Sequence, residues 1–248
     1  MAEQASLTRL ADIERFYRLL DRLSQRVGGP RMMASFNNFR DWPRRGVYFF
    51  FEPSEFRTDS GTGPRVVRIG THALRSGARS TLRQRLRQHR GSSHGGGNHR
   101  GSIFRLVVGH ALMTQSALPN CSSWGAKRKA SVGPNGLQPV RDSTIEAERS
   151  IEQAVSAYLA TLSVVCLSVD DEPGPHSLRG SVEQNVIGLL SNYGKTSIDP
   201  PSQTWLGHFS SHPLVAGSGL WNQQHVEKSY DPNFLDEFER RTAQSGKP

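Results

Sequence analysis

The sequence predicts an α+β protein in which a small antiparallel three-stranded central sheet is flanked by helices. Three short runs, at 46–51, 65–70 and 163–169, are rich in aromatic and β-branched residues, which is typical of buried strands. The segments around them repeat apolar residues at helical spacing, which indicates packed helices. With 248 residues, the chain is long enough for one compact domain that carries additions.

The first predicted element is a helix over residues 7–27. Ser6 is placed to cap its start, and Gly28 and Gly29 followed by Pro30 end it. One apolar stripe runs along it at helical spacing, formed by Leu7, Leu10, Ile13, Phe16, Tyr17, Leu20 and Leu23. We expect this helix to pack without taking part in chemistry, and we assign residues 1–45 to an N-terminal helical extension.

The strands at 46–51 and 65–70 are separated by a polar loop with two glycines and a proline, which predicts an antiparallel hairpin. Ser80 or Thr81 then caps a helix that continues to about His89. Residues 91–101 contain three consecutive glycines and are predicted to form a low-complexity loop.

The second half of the chain is predicted to add three more helices to the third strand. The segment 103–113 fits a helix or a strand, and its length favours the helix, whereas 118–142 is predicted to be a long basic loop. Helices are expected over 144–159 and 178–190. The core-facing positions of the first of these two are Ile145, Ile151, Val155 and Leu159.

The segment 199–222 has no clear regular structure in its sequence pattern. It nevertheless contains three large aromatic residues, Trp205, Phe209 and Trp221. Because such side chains gain most from burial, we expect all three to pack back onto the domain.

The charge of the chain favours a polyanionic partner. Its 31 Lys and Arg residues exceed its 22 Asp and Glu residues, and the formal net charge is +9. The stretch from Arg75 to Arg105 is rich in arginine and histidine and contains no Asp or Glu. Contact with phosphates explains such a stretch better than an ordinary solvated face does, so nucleic acid is the expected partner.

Cysteine usage and hydropathy indicate a protein of a reducing, aqueous compartment. Cys121 and Cys166 lie in unlike contexts, which predicts neither a disulfide scaffold nor a zinc finger, and Cys166 should be a small buried hydrophobe. No run reaches the roughly 18 apolar residues of a membrane span, and the start has no hydrophobic signal region. We therefore expect a cytoplasmic protein without a membrane partner.

Several short motifs resemble the GIY-YIG nuclease superfamily. Gly-Val-Tyr at 46–48 is similar to the first signature, and Arg-Ile-Gly at 68–70 stands where the second would fall, with arginine in place of tyrosine. Residues 82–89 resemble the family's helix pattern of leucine, arginine, leucine and histidine, and 183–187 resemble the glutamate-any-asparagine-any-isoleucine string of its repair nucleases. The added N-terminal helix and long insertion look most like the restriction-endonuclease branch.

This resemblance implies roles for individual residues. Tyr48 would position or activate the attacking water, Arg85 would bind the scissile phosphate, and Glu183 would anchor Mg²⁺ or Mn²⁺. His89 would hydrogen-bond the phosphate or shuttle a proton. Each role has an alternative: a core tyrosine, one more phosphate-contacting arginine, an exposed helix glutamate and a histidine that caps helix carbonyls.

Three further positions complete the implied site. Arg68 fills the place of the missing tyrosine, and His72 just after it could supply the lost general-base capacity. The last polar residue of the family's site would be Asn222, with Asn192 or Asn185 as alternatives. The residues expected to contact phosphates are Arg83, Arg87, Arg90, His99, Arg100, Lys127, Arg128 and Lys129.

The resemblance thus implies a Mg²⁺-dependent endonuclease acting on double-stranded DNA, in restriction or phage defence, and a homodimer would let a one-site enzyme cut both strands. The nuclease domain would span 46–222, with an insertion at about 91–158 and a C-terminal tail over 223–248. Two alternatives stay open. One is a catalytically silent nucleic-acid-binding module on the same scaffold, and the other is a structure-specific DNA repair nuclease.

Overall fold

The protein is described by a computed structural model that covers residues 2–38, 41–92, 94–115, 118, 120–126, 131–133, 136–138 and 142–246. In chain order its elements are α1 (Ala2–Arg26), β1 (Arg31–Met32), β2 (Gly46–Phe56), β3 (Pro64–Gly70), α2 (Leu82–Arg90), α3 (Ile103–Gln115), β4 (Ser131–Gly133), β5 (Gly136–Gln138), α4 (Asp142–Ala160), β6 (Ser163–Ser168), α5 (Leu178–Leu190), α6 (Pro213–Ser218) and α7 (Phe234–Gln244). Short 3-10 helices lie at Met33–Asn38, His99–Gly101 and Leu206–Phe209.

The central sheet is antiparallel and has the strand order β1-β6-β2-β3. This confirms the predicted α+β class and the three principal strands. The fourth strand, β1, adds two residues at one edge and is too short to leave a periodic signal in the sequence. Strands β4 and β5 form a separate small hairpin inside the segment that was predicted to be a loop.

Strand β2 is buried along most of its length because helices cover both faces of the sheet. Val47 and Phe49 belong to the core cluster that α1, α5 and α7 complete. Tyr48 and Phe50 point to the opposite face and pack with residues of α2, α3 and α4. The alternation of a strand therefore places Tyr48 on the same side of the sheet as the basic helix α2.

Helix α2 begins as the sequence predicts. Thr81 is the N-cap, and its side chain accepts a hydrogen bond from the backbone of Gln84 while the Gln84 side chain accepts one from the Thr81 backbone. Leu82, Leu86 and His89 form its buried face. His89 is thus directed inwards to the sheet, whereas the arginines of this helix lie at its exposed or partly exposed positions.

The two ends of the chain pack against each other. Phe238 of α7 meets Phe16 of α1 at 5.3 Å between ring centroids, and Arg15 pairs with Asp236 and Glu239. The segment 223–248, expected as a tail, therefore contains a core helix. A short helix of this kind is stabilised mainly by packing its apolar face, which here lies against α1, and the local sequence does not show that contact.

For two residues the prediction of burial is wrong, and for two tryptophans it is confirmed. Ile145 on α4 is 44% exposed and Phe209 is 38% exposed, so neither packs in the core. Trp205 and Trp221 are completely buried and pack against each other at 5.2 Å between ring centroids. None of the helices within the described residues combines the length and hydropathy that a membrane crossing requires.

Candidate active site

Tyr48, His89 and Ser102 form a continuous buried hydrogen-bonded chain. The Tyr48 hydroxyl lies 2.8 Å from Nε2 of His89, and Nδ1 of the same ring lies 2.8 Å from the Ser102 hydroxyl oxygen. All three side chains are at most 2% exposed. Burial, with the charges of Arg68 and Arg85, holds the pKa of His89 well below its usual value, so the ring is neutral.

Glu183 approaches the same end of the sheet from helix α5. Its Oε1 accepts the backbone N–H of Thr71 at 3.2 Å, and the Thr71 hydroxyl donates to the carbonyl oxygen of Gly46 at 2.8 Å. Burial raises the pKa of Glu183 to about 7, against the opposing effects of Arg68, the Thr71 N–H and Arg85. Glu183 is thus a desolvated carboxyl group held beside the start of β2 and the end of β3.

Arg68 and Arg85 supply the positive charge of the site. Nη1 of Arg68 donates to the carbonyl oxygen of Trp221 at 2.5 Å, and its guanidinium lies 4.5 Å from the ring centroid of Phe104. Arg85 is partly buried and contacts Gln88 of its own helix at 3.3 Å. Burial raises the pKa of Tyr48, Arg68 and Arg85 act to lower it, and Glu183 acts to raise it, so these four groups share one electrostatic environment.

An open cleft of about 460 Å³ gives solvent access to this region. Glu183 and Arg85 line it together with Thr71, His72 and Gln224. The cleft brings the expected metal anchor and the expected phosphate-binding arginine to one surface. Gln224 was not identified from the sequence, since nothing in its local pattern distinguishes it from other polar residues near the C-terminus.

His72 lies in the wall of the cleft but is only 2% exposed. Burial and the nearby charge of Arg179 lower the pKa of this imidazole to about 4. Neither ring nitrogen makes a well-formed hydrogen bond within the described residues. Such a ring is a weak proton acceptor at neutral pH, so the geometry does not support the general-base role predicted for His72.

Asn222 is near the site, and both ends of its side-chain amide hydrogen-bond the backbone. Its Oδ1 accepts the N–H of Ile69 at 3.1 Å and its Nδ2 donates to the carbonyl oxygen of Ile69 at 2.8 Å. It fixes the end of β3 next to Arg68, so the expected direct catalytic contact is corrected to a supporting one. Asn192 bonds the Ile198 backbone and Asn185 bonds the Asp231 backbone, and neither is part of the cleft.

Several residues expected to contact phosphates are engaged inside the protein instead. His99 is 2% exposed, hydrogen-bonds Glu152 at 3.0 Å and stacks on Trp124. Both Nη atoms of Arg100 pair with Glu148 at 2.7 Å. The side chain of Arg90 donates to the carbonyl oxygen of Met33 at 2.9 Å. These three residues are therefore structural, because their donor groups are hydrogen-bonded to acidic side chains from later in the chain or to backbone carbonyl oxygens.

Two arginines of α2 keep their expected position. Arg87 is exposed, and Arg83 is partly exposed with its guanidinium 5.9 Å from the ring centroid of Phe36. Lys127, Arg128 and Lys129 lie outside the described residues. Of the residues predicted to contact phosphates, Arg83 and Arg87 are thus the two described ones whose side chains stay at the surface without an acid or a backbone carbonyl as partner.

A second buried network supports the end of α2 and was missed by the sequence analysis. Nη1 of Arg105 donates to the carbonyl oxygens of His89 and Arg90 at 2.9 and 3.2 Å, while Nε and Nη2 donate to Oε2 of Glu152 at 2.9 and 2.5 Å. Nη2 also reaches the hydroxyl of Ser156 at 2.9 Å. The guanidinium is fully buried, and all three of its nitrogens donate hydrogen bonds that hold α2 to α4.

The glycine-rich loop after α2 is packed around this guanidinium. A Cβ at Gly97 would lie 2.0 Å from Nη2 of Arg105, and one at Gly91, whose φ is +82°, would lie 2.9 Å from Nη1. The composition that predicted a featureless loop in fact makes room for a buried arginine. Ser102 could have been found from the sequence, since it immediately precedes the apolar run of α3 as an N-cap residue does.

The donor set suits a hard cation that keeps most of its own water. Within the described part of the chain, no group of three His, Cys, Asp or Glu side chains is arranged to hold a metal ion. Glu183 presents one desolvated carboxylate to an open cleft, and such a group gains from a cation close by. Mg²⁺ is commonly held by one or two carboxylates, with water and phosphate completing its shell, so the site fits this ion.

At one end of a small antiparallel sheet the protein thus brings together a lone carboxyl group that could hold a divalent cation, two guanidiniums that could bind phosphoryl oxygens, and a phenol. This is the chemistry that hydrolysis of a phosphodiester requires. Comparison with known protein families identifies the family to which the chain belongs. The family described as the GIY-YIG domain matches residues 7–247, and the chain belongs to that family. Its members are endonucleases, so the match supports a nuclease whose substrate is DNA. No curated protein and no solved structure matches the chain.

Proposed function

We propose that this protein is a Mg²⁺- or Mn²⁺-dependent DNA endonuclease that hydrolyses phosphodiester bonds at the cleft of Arg85 and Glu183. The observation that carries the proposal is that Arg85 and Glu183 line one open cleft. Tyr48 and Arg68 lie behind them, close enough for Glu183 to influence the pKa of Tyr48 and for Arg68 to influence that of Glu183. Each of these residues comes from a different part of the chain. A purely structural set would have no need to meet beside an open surface.

The residues would divide the reaction among them. Arg85 would bind the scissile phosphate, since a planar guanidinium can hold two phosphoryl oxygens and offset their growing charge. Tyr48 would position or activate the water whose oxygen bonds to phosphorus as the bond to the leaving 3′ oxygen breaks. Glu183 would hold the cation, which when bound would polarise the phosphate and stabilise the leaving oxygen.

Arg68 would take over part of the task of the tyrosine that the family's second signature carries. Its charge lies close enough to Tyr48 and Glu183 to influence the pKa of both groups. A permanent cation there would help a phenol to bear negative charge, although it could not exchange a proton at neutral pH. This substitution is the one feature that favours the second candidate function, a catalytically silent nucleic-acid-binding module.

The biological setting that we propose is restriction or phage defence in the cytoplasm. Two additions to the domain support this proposal, because the N-terminal extension over 1–45 and the insertion over about 91–158 look like those of the restriction-endonuclease branch. We propose that residues 46–222 carry the nuclease site, on a core that α1 and α7 complete, and that double-stranded DNA is the substrate. A homodimer would let one site per chain cut both strands, and a structure-specific repair nuclease is the third candidate.

Cleavage of supercoiled plasmid in the presence of Mg²⁺ tests the proposal. We expect the wild-type protein to nick or linearise the plasmid, and Glu183→Ala and Tyr48→Phe to lower the rate by about 100-fold or more. Glu146→Ala on the exposed face of α4 is the matched control and should cleave normally. Cleavage that survives Glu183→Ala would remove the metal-anchor assignment.

The same experiment separates the candidates. Absence of cleavage on plasmid, linear and branched DNA, with salt-sensitive binding retained, would favour the silent module. A strong preference for branched over linear duplex would favour the repair nuclease.

A further inference from the structure

The segment between β3 and α2 is anchored to the first turn of α5. Arg179 of α5 is completely buried, and its Nη1 and Nη2 donate to the carbonyl oxygens of His72 and Ala73 at 2.9 and 3.4 Å. Its Nε donates to the carboxylate of Asp171, which balances the buried charge. The residues that follow β3 are therefore held by a side chain of a distant helix.

These contacts continue as far as Arg75. Ala73 has a φ of +54°, in the left-handed region, which a residue with a Cβ occupies only where its surroundings hold it there. Leu74 packs on α5, since a Cβ built at Gly180 would lie 3.3 Å from its Cδ2. A turn follows, in which the N–H of Ala78 donates to the carbonyl oxygen of Arg75 at 3.0 Å. The backbone that carries Arg75 is thus fixed.

The side chain of Arg75 lines the same cleft as Arg85 and Glu183. It is exposed, and among the described residues it has no acid, carbonyl oxygen or aromatic ring as a partner. The charged residues that line this cleft are Arg75, Arg85 and Glu183, because burial keeps the ring of His72 neutral near pH 7. With the carboxylate of Glu183 committed to a cation, both guanidiniums are left for anions.

We propose that Arg75 binds a DNA phosphate next to the scissile one, as a second phosphate-binding residue of the cleft. This assignment rests on the proposed function, in which Arg85 holds the scissile phosphate. A DNA strand carries one phosphate about every 3.4 Å along its axis, so a cleft that holds one phosphate lies beside others. A guanidinium on a backbone that is already fixed loses less freedom on binding than one on a loose loop, which favours this contact.

Binding of a fluorescein-labelled DNA duplex in EDTA, measured by anisotropy at several salt concentrations, tests the phosphate contact without cleavage. We expect Arg75→Ala to weaken binding about 10-fold and to lower the slope of log K against log salt by about 1. Arg79→Ala is the matched control, because Arg79 is exposed on the same segment but does not line the cleft. Equal effects of the two changes, or no effect of Arg75→Ala, would overturn the proposal.

Plasmid cleavage shows which phosphate Arg75 contacts. Loss of a contact that is made equally in the bound substrate and in the transition state raises KM and leaves kcat unchanged. We expect this pattern for Arg75→Ala, with KM raised about 10-fold because the neighbouring phosphate does not react. A fall in kcat with unchanged KM would place Arg75 at the scissile phosphate and would overturn the assignment.

The two measurements distinguish failure of this assignment from failure of the proposed function. If the wild-type protein cuts no DNA while Arg75→Ala still lowers the salt slope, the proposed function fails and the phosphate contact of Arg75 is supported. If the wild-type protein cuts DNA while Arg75→Ala and Arg79→Ala bind and cut alike, the proposed function stands and the assignment of Arg75 is wrong.

Discussion

The hydroxyl of Tyr48 lies directly against the backbone of Gly70, its partner across the β2–β3 hairpin. A Cβ built at Gly70 would be only 2.1 Å from the phenol oxygen and 2.3 Å from the ring carbon that bears it. Atoms that are not bonded to each other do not approach this closely. The phenol can therefore reach His89 only because residue 70 has no side chain. The glycine of the second signature is therefore a requirement of the tyrosine of the first.

Gly70→Ala should inactivate the protein while leaving it largely folded. The new methyl group has to displace the Tyr48 ring and break its contact with His89, and overpacking of this kind costs about 1–3 kcal/mol. We expect plasmid cleavage to fall at least as far as in Tyr48→Phe, with a small drop in Tm. Gly101→Ala is the control, because a Cβ there meets nothing within 4 Å. A fully active Gly70→Ala protein would contradict the importance of the Tyr48 position.

Glu152→Gln should be among the most destabilising single-atom changes in the chain. It removes the carboxylate that receives both Arg105 and His99 and leaves a fully buried guanidinium without its counter-charge. Breaking such a pair costs about 3–5 kcal/mol, measured as the free energy of unfolding in urea. Glu146→Gln breaks the exposed pair with Arg149 on the same helix and should cost less than about 1 kcal/mol. Equal effects of the two changes would argue against the buried network as a support of α2.

Arg87→Ala should weaken DNA binding without changing stability. This residue is exposed on α2, on the surface that we expect to contact phosphates. Loss of one phosphate contact lowers the slope of log K against log salt by about 1, which titrations at several salt concentrations would detect. Arg18→Ala is the control, because it removes an exposed positive charge from α1, a different helix, and should leave the slope unchanged. A larger effect of Arg18→Ala would move the binding surface to another face.

His72 should make the protein less stable as the pH falls from 6.5 towards 4. Its pKa is about 4 in the folded protein and near 6.5 in the unfolded chain, so the unfolded chain binds the additional proton within that window. Its contribution to stability is complete above pH 6.5 and is lost by about 1.4 kcal/mol for each pH unit below it. His72→Gln should remove this part of the slope in urea unfolding measured at several pH values. His176→Gln, at an exposed position, should keep the wild-type slope.

The parts of the fold that the sequence predicted well are those fixed by local interactions. Thr81 caps α2 through a residue three positions away, and α5 begins and ends at the predicted residues, Leu178 and Leu190. Tyr48 and Glu183 could be paired because the family resemblance connects them, although 135 positions separate them in the chain. Local capping and a known motif order were enough for these elements.

The errors arise where a distant contact decides the role of a residue. His99 and Arg100 belong to an acid-free stretch, and only folding brings Glu152 and Glu148 of α4 to them. Asn222 was identified as a site residue, yet its amide group is used on the backbone of Ile69. A sequence pattern indicates that a charge or an amide is present, but it does not indicate which partner will take it.

The dependence of α2 on Glu152 affects the order in which the protein can mature during synthesis. A nascent chain that has emerged through residue 90 already contains Tyr48, Arg85 and His89, but the salt bridge that secures the end of α2 needs 62 more residues. A prematurely terminated chain would therefore have its tyrosine and histidine but no means of keeping them aligned, and it would also lack Glu183. Fragments released by a stalled ribosome should be harmless to the DNA around them.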